Sequence, residues 1–211
     1  MSGPRWAFTT PARMWTLCEG PERKGEIAMK WMIGSDLHGS AYYCEKLLGA
    51  LEAERADRML LLGDLLYHGP RNDLPRDYDP RAVTALLNGC KERLLCVRGN
   101  CDAEVDQMVL EFPILAEYAL LEVEGRVLFA THGHKYGPDA LPPLCPGDIL
   151  LSGHTHVPVC REAEGILLLN PGSASMPKEG SAAGYMTLED GLFTWKDFDG
   201  ATVREYRLPP R

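Results

Sequence analysis

The amino-acid sequence predicts an α/β fold with a mixed sheet system, and three observations lead to this prediction. Short apolar runs that break into glycine and polar residues occur at 30–39, 58–69, 93–102, 126–134 and 148–156. Such continuous runs are typical of strands that are buried on both faces. Helical patterns separate the first three runs. After about Gly133 the helical patterns fade, and further strand patterns follow.

Two helices are predicted in the first half of the chain. The apolar residues of the first helix share one face, at i, i+3, i+4 and i+7: Cys44, Leu47, Leu48 and Leu51. The second helix is predicted to begin at Pro80, because Asp79 can cap a helix and proline fits the first turn. The apolar residues of the second helix are Val83, Leu86 and Leu87. Each helix therefore has an apolar side that can pack on a sheet.

Further strands are predicted at 165–175 and at 183–198, where the second segment forms two strands joined at 189–191. Residues 1–28 show no sustained periodicity. We interpret them as an N-terminal extension, either flexible or arising from a mis-assigned start. Residues 29–211 are then expected to form a single domain, which is an ordinary size for one core.

Composition and charge exclude several classes of protein. The net charge of −8 provides no general basic field, so a long nucleic acid is not the expected partner. No apolar stretch is long enough for a membrane span, and no signal peptide is recognisable. The 7 cysteines are an odd number without C-x-x-C spacing, which favours reduced thiols and a cytoplasmic location. Whether the chain forms a homo-oligomer is left open.

Polar residues with metal-binding chemistry follow five of the predicted strands. They are Asp36 and His38; Asp64 and His68; Asn100, Cys101 and Asp102; His132 and His134; and His154 and His156, which together include all 6 histidines of the chain. A single histidine after a strand is more often a hydrogen-bonded structural residue, and a single aspartate is often a helix cap. Independent structural roles would not bring every histidine to the strand ends, where ligands bind in open α/β sheets. We therefore predict one joint site.

The predicted site has the chemistry of a metal centre. Alternate side chains of extended chain share a face, so His154 and His156 are expected to point the same way, as are Asp36 and His38. Mixed aspartate, asparagine and histidine ligands favour Mn²⁺, Fe²⁺, Mg²⁺ or Zn²⁺, with Ni²⁺ as a further alternative; we prefer Mn²⁺. Seven candidate ligands are too many for one ion, so two divalent ions about 3.5–4 Å apart are expected.

Five motifs in chain order resemble the calcineurin-like metallophosphoesterase superfamily: D-x-H at 36–38, G-D at 63–64, G-N at 99–100, T-H-G-H at 131–134 and G-H-T-H at 153–156. The stretches GDLLYHGPRND and RGNCD are similar to the small bacterial phosphodiesterases of the YfcE type. The resemblance implies a four-layer α-β-β-α sandwich of two mixed sheets. It also implies a ligand set in which Asp36, His38 and His156 hold one ion, Asn100, His132 and His154 hold the other, and Asp64 bridges the two.

The resemblance leaves other polar residues with less defined roles. His134 is expected to support the ligands or to reach an ion through its backbone, and its role as a direct ligand stays open. His68 is expected to support a ligand or to face the substrate. The residues predicted to take part in catalysis are Asp64, Asn100, Cys101, Asp102 and His68.

Charge predicts an anionic substrate independently of the resemblance. Two dications contribute +4 and the carboxylates of Asp36 and Asp64 contribute −2, which leaves about +2, or about +1 with a bridging hydroxide. This charge suits a small phosphate ester that the bridging hydroxide attacks in line. The resemblance to the YfcE-type branch implies that the ester is a phosphodiester. No protein nucleophile is then needed.

Cys101 marks a departure from the wider superfamily, in which many members have a histidine that protonates the leaving group. A thiol titrates near 8.5, and lower beside cations, so we expect Cys101 to donate little. Two alternative functions stay open: a phosphomonoesterase or nucleotidase, and a non-catalytic interaction scaffold of the same fold. The segment from Tyr67 to Asp79 is the one sizeable loop near the predicted site, and its Arg71 and Arg76 are candidates for substrate contact or for solvated surface.

Overall fold

A computed structural model describes residues 29–210, so the predicted N-terminal extension, 1–28, lies outside the described residues. The strands are β1 Trp31–Gly34, β2 Arg58–Leu61, β3 Leu94–Cys96, β4 Tyr118–Val123, β5 Arg126–Thr131, β6 Ile149–Leu151, β7 Val159–Ala163, β8 Ile166–Asn170, β9 Gly184–Glu189, β10 Leu192–Asp197 and β11 Thr202–Arg207. The helices are α1 Ala41–Ala53, α2 Pro80–Asn88 and α3 Glu104–Gln107, with a 3-10 turn at Lys91–Arg93.

The strands form two mixed sheets. The first sheet has the order β11-β10-β9-β1-β2-β3, in which β1, β2 and β3 are parallel. The second has the order β4-β5-β6-β8-β7, in which β5, β6 and β8 are parallel. The predicted α/β fold with two mixed sheets is confirmed.

Alternation along the central strands explains why their sequences are apolar throughout. Met32 and Met59 face the side of the first sheet on which α1 and α2 pack, whereas Ile33 and Leu60 face the second sheet. Successive side chains of a strand point to opposite faces, so a strand between two apolar layers has no polar side. The core between the sheets also includes Phe193, which is fully buried.

Both long helices begin at the residues that favour a helix start. The Ser40 hydroxyl accepts a hydrogen bond from the backbone N–H of Tyr43 at the start of α1. Asp79 caps α2 through the N–H groups of Arg81 and Ala82, and Pro80 occupies the first turn, as the sequence predicts. The helix residues buried against the sheet are Cys44, Leu47 and Leu51 of α1 and Val83 and Leu87 of α2.

The outer face of the second sheet is covered by irregular chain. Phe129, Leu150 and Leu168 form a small apolar cluster there, against which Leu141 and Leu144 pack. Both leucines belong to the segment 132–148, which contains no helix. The outer layer on this side is therefore a loop, whereas the resemblance implies a helical layer. None of the helices in the described part of the chain is long and apolar enough to cross a membrane.

Candidate metal centre

The predicted ligands lie together at the carboxyl ends of strands from both sheets. Asp36 and His38 follow β1, Asp64 follows β2, Asn100 follows β3, His132 follows β5, and His154 and His156 follow β6. Asp36, His38 and His132 are each at most 1 % exposed. Five chain segments thus deliver their polar side chains to one place between the sheets.

The backbone places most of these side chains by left-handed turns. The residues with positive φ are Asp36 at 57°, His38 at 49°, Asp64 at 55°, His154 at 67° and His156 at 63°. This conformation is uncommon for residues other than glycine and costs of order 1–3 kcal/mol at each position. Contrary to the expectation, the two pairs are therefore not extended, although Asp36 and His38 do come together, with Oδ1 of Asp36 3.5 Å from Nε2 of His38. Strain of this kind persists only where surrounding contacts hold it, and it clusters at functional sites.

Three histidines are held in one orientation by backbone carbonyls. Each Nδ1 lies within hydrogen-bond distance of a carbonyl oxygen: His38 at 2.8 Å from Tyr67, His132 at 2.6 Å from Leu62, and His156 at 2.8 Å from Met176. A carbonyl accepts a hydrogen bond, so each Nδ1 carries the proton and each Nε2 keeps a free lone pair. This is the arrangement in which histidine binds a metal ion.

Asp36 forms one group of ligand atoms with His38 and His156. Its Oδ1 lies 3.5 Å from Nε2 of His38 and 3.2 Å from Nε2 of His156. The two Nε2 atoms lie 3.2 Å apart. Asp36 Oδ2 accepts hydrogen bonds from the Ser35 hydroxyl at 2.5 Å and the His154 N–H at 3.1 Å, whereas the buried Oδ1 has no hydrogen-bond partner. A buried carboxylate oxygen without a hydrogen-bond partner is well suited to bind a cation.

Asp64 lies between this group and a second one. Its Oδ2 is 3.6 Å from Nε2 of His38 and 3.5 Å from Nε2 of His132. Nε2 of His132 lies 3.1 Å from Oδ1 of Asn100, and the rings of His132 and His154 are 5.0 Å apart. The ring of His154 thus lies beside that of His132, whereas Nε2 of His156 lies beside Oδ1 of Asp36. The donor atoms fit divalent ions, with Asp64 in contact with both groups.

The ionisable side chains of the site shift one another's pKa values. Burial opposes ionisation of Asp36, but the neighbouring imidazoles of His156, His38 and His132 hold its pKa well below the usual range. Burial likewise opposes a charge on His38, yet Asp36 outweighs burial and raises the pKa of His38. The pKa of His154 is lowered by burial and by the neighbouring His132. None of the lysines and arginines in residues 29–210 forms an ion pair with Asp36 or Asp64.

Asp102, which the sequence predicts to take part in catalysis, has its carboxylate against the backbone of the site. Its carboxylate accepts hydrogen bonds from three backbone N–H groups, those of Asp64 at 2.9 Å, Leu65 at 2.9 Å and Gly99 at 2.7 Å. It is 2 % exposed and does not line the cavity above the ligands. Asp102 is a positioning residue, because it ties the turn after β3 to the backbone of Asp64.

Cys101 contacts Asp64 through its main chain. Its N–H donates to Oδ1 of Asp64 at 2.8 Å, and its thiol accepts from the Asn100 amide at 3.2 Å. Burial, followed by the charge of Asp64, raises the pKa of the Cys101 thiol.

His68 and His134 lie beside the cluster and not within it. The ring of His68 packs between Tyr67 and Tyr78, with centroids at 4.8 and 5.2 Å. The His134 ring lies 5.4 Å from that of His132, and burial together with His132 lowers its pKa. Each has a buried Nδ1 without a hydrogen-bond partner, and neither lines the cavity.

A cavity of about 380 Å³ opens above the ligand atoms. The residues that line it are His38, Asp64, Gly69, Pro70, Arg71, Asn72, Asn100, Cys101, His154, His156 and Lys178. Of the two arginines in the segment 67–79, Arg71 therefore faces the cavity. Arg76 instead lies over the ring of Tyr42, at 3.6 Å from its centroid.

Sequence reasoning missed several residues that support the site. Ser173 and Ser175 donate their hydroxyl hydrogens to the backbone oxygen of Asp36, both at 2.9 Å. Asn170 donates to the carbonyl of Gly153 at 2.8 Å. The GILLLNPGSAS stretch contains all three, and its polar residues directly after an apolar strand follow the same pattern as the ligand segments. That pattern could have identified the three residues from the sequence. No such pattern surrounds Lys178.

Comparison with known proteins agrees with this geometry. A family model described as the calcineurin-like phosphoesterase superfamily domain matches residues 29–190. The chain belongs to this superfamily. Among its members, phosphodiesterase YfcE of Escherichia coli is 45% identical over 166 residues, which is 79% of this chain and 90% of the relative. Probable metallophosphoesterase YsnB of Bacillus subtilis is 28% identical over 84% of this chain and 90% of the relative.

Solved structures extend the comparison. The structure of Escherichia coli Yfce, described as a phosphoesterase, has a TM-score of 0.83 and 42% identity, and the match covers 86% of this chain and all of that one. Vacuolar protein sorting 29 of Cryptosporidium parvum has a TM-score of 0.56 at 18% identity, covering 86% of this chain and 100% of the other. The second likeness shows the shared fold alone. As a phosphoesterase superfamily member, the protein is a hydrolase with a metal-binding cluster.

Proposed function

We propose that the protein is a phosphodiesterase that depends on two divalent metal ions and cleaves small phosphodiesters. The observation that carries this proposal is the position of Asp64. Its carboxylate contacts both His38 and His132, while the neighbouring Asp36 has a buried oxygen without a partner. Two buried carboxylates without lysine or arginine partners need a cation to balance them.

The donor atoms divide into two groups that share Asp64. Asp36, His38 and His156 would hold one ion, Asn100, His132 and His154 would hold the other, and Asp64 would contact both. Nitrogen and oxygen donors without clustered cysteine suit Mn²⁺, which we prefer, as well as Fe²⁺, Mg²⁺, Zn²⁺ and Ni²⁺. Such ions, when bound, lower the pKa of water and polarise phosphoryl oxygens.

The protein's own groups hold this chemistry in place. The backbone N–H of Cys101 fixes Oδ1 of Asp64, which leaves Oδ2 to face the histidines. Backbone carbonyls hold His38, His132 and His156 with their Nε2 atoms toward the carboxylates. No serine, threonine or lysine replaces an expected ligand, so the proposal requires no covalent enzyme intermediate. Many members of the superfamily have a histidine that protonates the leaving group, and this chain has Cys101 at that position. We therefore assign protonation of the leaving group to solvent.

The choice of a diester over a monoester draws support from the likeness to YfcE, a phosphodiesterase by name. An open cavity of about 380 Å³ also accommodates a second ester group. Cytoplasmic location is part of the proposal. It draws support from the absence of disulfides within residues 29–210, where Cys44, Cys90, Cys96, Cys101, Cys145 and Cys160 are free.

The test combines metal analysis with a substrate panel. Protein purified without chelator is analysed for bound metal, then stripped and reloaded with Mn²⁺, Mg²⁺, Zn²⁺ or Ni²⁺. Each form is assayed on bis(p-nitrophenyl) phosphate and on p-nitrophenyl phosphate. We expect about two ions per chain and higher kcat/KM on the diester. A preference for the monoester would establish a phosphomonoesterase. Full metal loading without turnover of either ester would favour the scaffold function.

A further inference from the structure

Two basic side chains stand on the wall of the cavity beside the ligands. Arg71 is exposed in the turn that follows β2, and Lys178 is exposed in the segment between β8 and β9. Neither side chain forms an ion pair with any of residues 29–210. The ion pairs found there involve other lysines and arginines. The chain carries a net charge of −8, so two cationic side chains without ion-pair partners beside a cavity are candidates for binding an anion.

The backbone around these cations is anchored to the metal centre. The carbonyls of Tyr67 and Met176 orient His38 and His156, so Arg71 and Lys178 follow an orienting carbonyl by four and two residues. The N–H of Lys178 also donates to the carbonyl of His156 at 3.1 Å. The segments that position the metal ligands therefore also position the two cations.

Charge shows that the two cations exceed what a simple diester requires. Two dications and two carboxylates leave about +2, whereas the scissile group of a diester carries about −1. Arg71 and Lys178 add two further positive charges to the same cavity. Asp64 is the carboxylate that lines it within the described part of the chain. The excess positive charge matches a second phosphate, which carries about −1.5 to −2.

We propose that Arg71 and Lys178 form a subsite for a second anionic group, so that the preferred substrate is a phosphodiester carrying a further phosphate. This inference rests on the proposed phosphodiesterase function and specifies its substrate class. The guanidinium group of Arg71 supplies a bidentate donor for phosphate oxygens, and the ammonium group of Lys178 supplies a mobile charge. Asn72, which also lines the cavity, donates to the carbonyl of His68 at 2.9 Å and so steadies the turn that carries Arg71.

Two substrates that differ in one group test the subsite. Thymidine 5′-(p-nitrophenyl phosphate) and its 3′-phosphorylated counterpart have the same scissile bond and the same leaving group. We expect the wild-type protein to prefer the 3′-phosphorylated substrate in kcat/KM. Arg71→Gln and Lys178→Gln should each reduce the ratio of the two kcat/KM values about tenfold, through KM, since each removes one charge-assisted contact. Arg71→Lys should retain part of the preference.

Arg76→Gln is the matched control, because Arg76 belongs to the same segment but lies over Tyr42 outside the cavity. It should keep the wild-type ratio. Raising the salt concentration should reduce the preference, since exposed charges are screened. A wild-type ratio near one, or a ratio that neither glutamine variant changes, would overturn the subsite.

Equilibrium binding separates this inference from the proposed function. Thymidine 3′,5′-bisphosphate and thymidine 5′-monophosphate are titrated into the metal-loaded protein by calorimetry. Tighter binding of the bisphosphate that is lost in the Arg71→Gln/Lys178→Gln double variant supports the subsite, even if no diester is hydrolysed. Equal binding of both nucleotides by the wild-type protein contradicts the subsite, even if diesters are hydrolysed well.

Discussion

The protein contains a buried group of charges and a partly buried one, and the two are balanced in opposite ways. In the metal cluster, which consists of Asp36, Asp64 and the histidines around them, the carboxylates have no lysine or arginine partner within residues 29–210. In the lysine cluster, Glu54 pairs with Lys30 at 3.1 Å and with Lys196 at 2.6 Å. The Tyr185 hydroxyl donates to the same carboxylate at 3.0 Å.

The difference shows how a structural charge group can be told from a functional one. Glu54 at the end of α1 is balanced by the chain itself, so it joins the helix to β1, β9 and β10 and needs no ligand. No lysine or arginine among residues 29–210 balances the carboxylates of the metal cluster. Burying such carboxylates reduces the stability of the metal-free fold, which is a cost that a purely structural site would avoid.

The largest expected effect comes from removing the shared carboxylate. Asp64→Asn should lower kcat/KM at least about a hundredfold and reduce bound metal, because even residues behind a ligand affect metal sites by 10–100-fold. In chelator-treated protein the same change should raise the melting temperature, since it removes an unbalanced buried charge. Activity assays, metal analysis and calorimetry measure these effects. Wild-type turnover in this variant would contradict the two-ion assignment, and exposed Asp73→Asn is the control.

The next largest effect concerns another buried carboxylate, that of Asp102, which belongs to neither cluster. Asp102 is satisfied by three backbone N–H groups. Asp102→Ala leaves these donors without a partner, so the free energy of unfolding should fall by about 2–4 kcal/mol. Urea denaturation measures the change. Asp102→Asn keeps an acceptor oxygen and should lose less. If Asp102→Ala kept full stability and lost only activity, the positioning role would be wrong.

Glu54→Gln should have a moderate effect that depends on pH. Burial opposes ionisation, but hydrogen bonds from Lys196, Lys30 and Tyr185 outweigh it and lower the pKa of Glu54. The carboxylate therefore stabilises the fold above its unfolded pKa of about 4.3, and this contribution is lost as pH falls through the lower folded pKa. At pH 7 the variant should be about 1 kcal/mol less stable.

The stability difference between wild type and Glu54→Gln should narrow below about pH 4. Thermal denaturation across the pH range measures it. Glu45→Gln, on the exposed face of the same helix, should change little at any pH. A difference that is the same at pH 7 and in acid would contradict the assignment to the ion pairs.

The smallest expected effect is that of Cys101→Ala. The contact with Asp64 is made by the backbone N–H, which the substitution retains. Turnover of an aryl diester should therefore fall by less than about threefold, because its leaving group needs little proton donation. A selective loss on alkyl diesters would show that the thiol is the proton donor. Cys101→His then tests whether restoring the superfamily's residue improves turnover of poor leaving groups.

The sequence predicted the strand-helix alternation and the residues of the metal cluster, because both leave local patterns. Apolar runs ending in aspartate or histidine can be recognised without knowing the fold. The strands β4, β7 and β11 were not predicted. All three lie at sheet edges, and exposed charged residues interrupt their apolar residues, as at Glu122, Arg161 and Glu205.

The arrangement of the site could not be read from spacing. His154 and His156 are two residues apart and both have left-handed backbone, yet the His154 ring lies beside His132 and Nε2 of His156 lies beside Asp36. Asp102 is an aspartate like Asp36 and Asp64, so its residue type does not distinguish it from them. Its three hydrogen bonds with backbone N–H groups do. Lys178 reaches the cavity because its N–H binds the carbonyl of His156, a contact between distant parts of the chain.

The division of the ligands between two sheets has a consequence for folding kinetics. The Nε2 atoms of His38 and His156 meet across 118 residues of chain, and the Ser173 hydroxyl reaches Asp36 across 137. Contacts of such long sequence separation form late, since the loop must close before they can stabilise anything. The metal cluster is therefore expected to be absent from the transition state. Bound ions should then stabilise the native state but not the transition state, which slows unfolding and leaves the folding rate nearly unchanged.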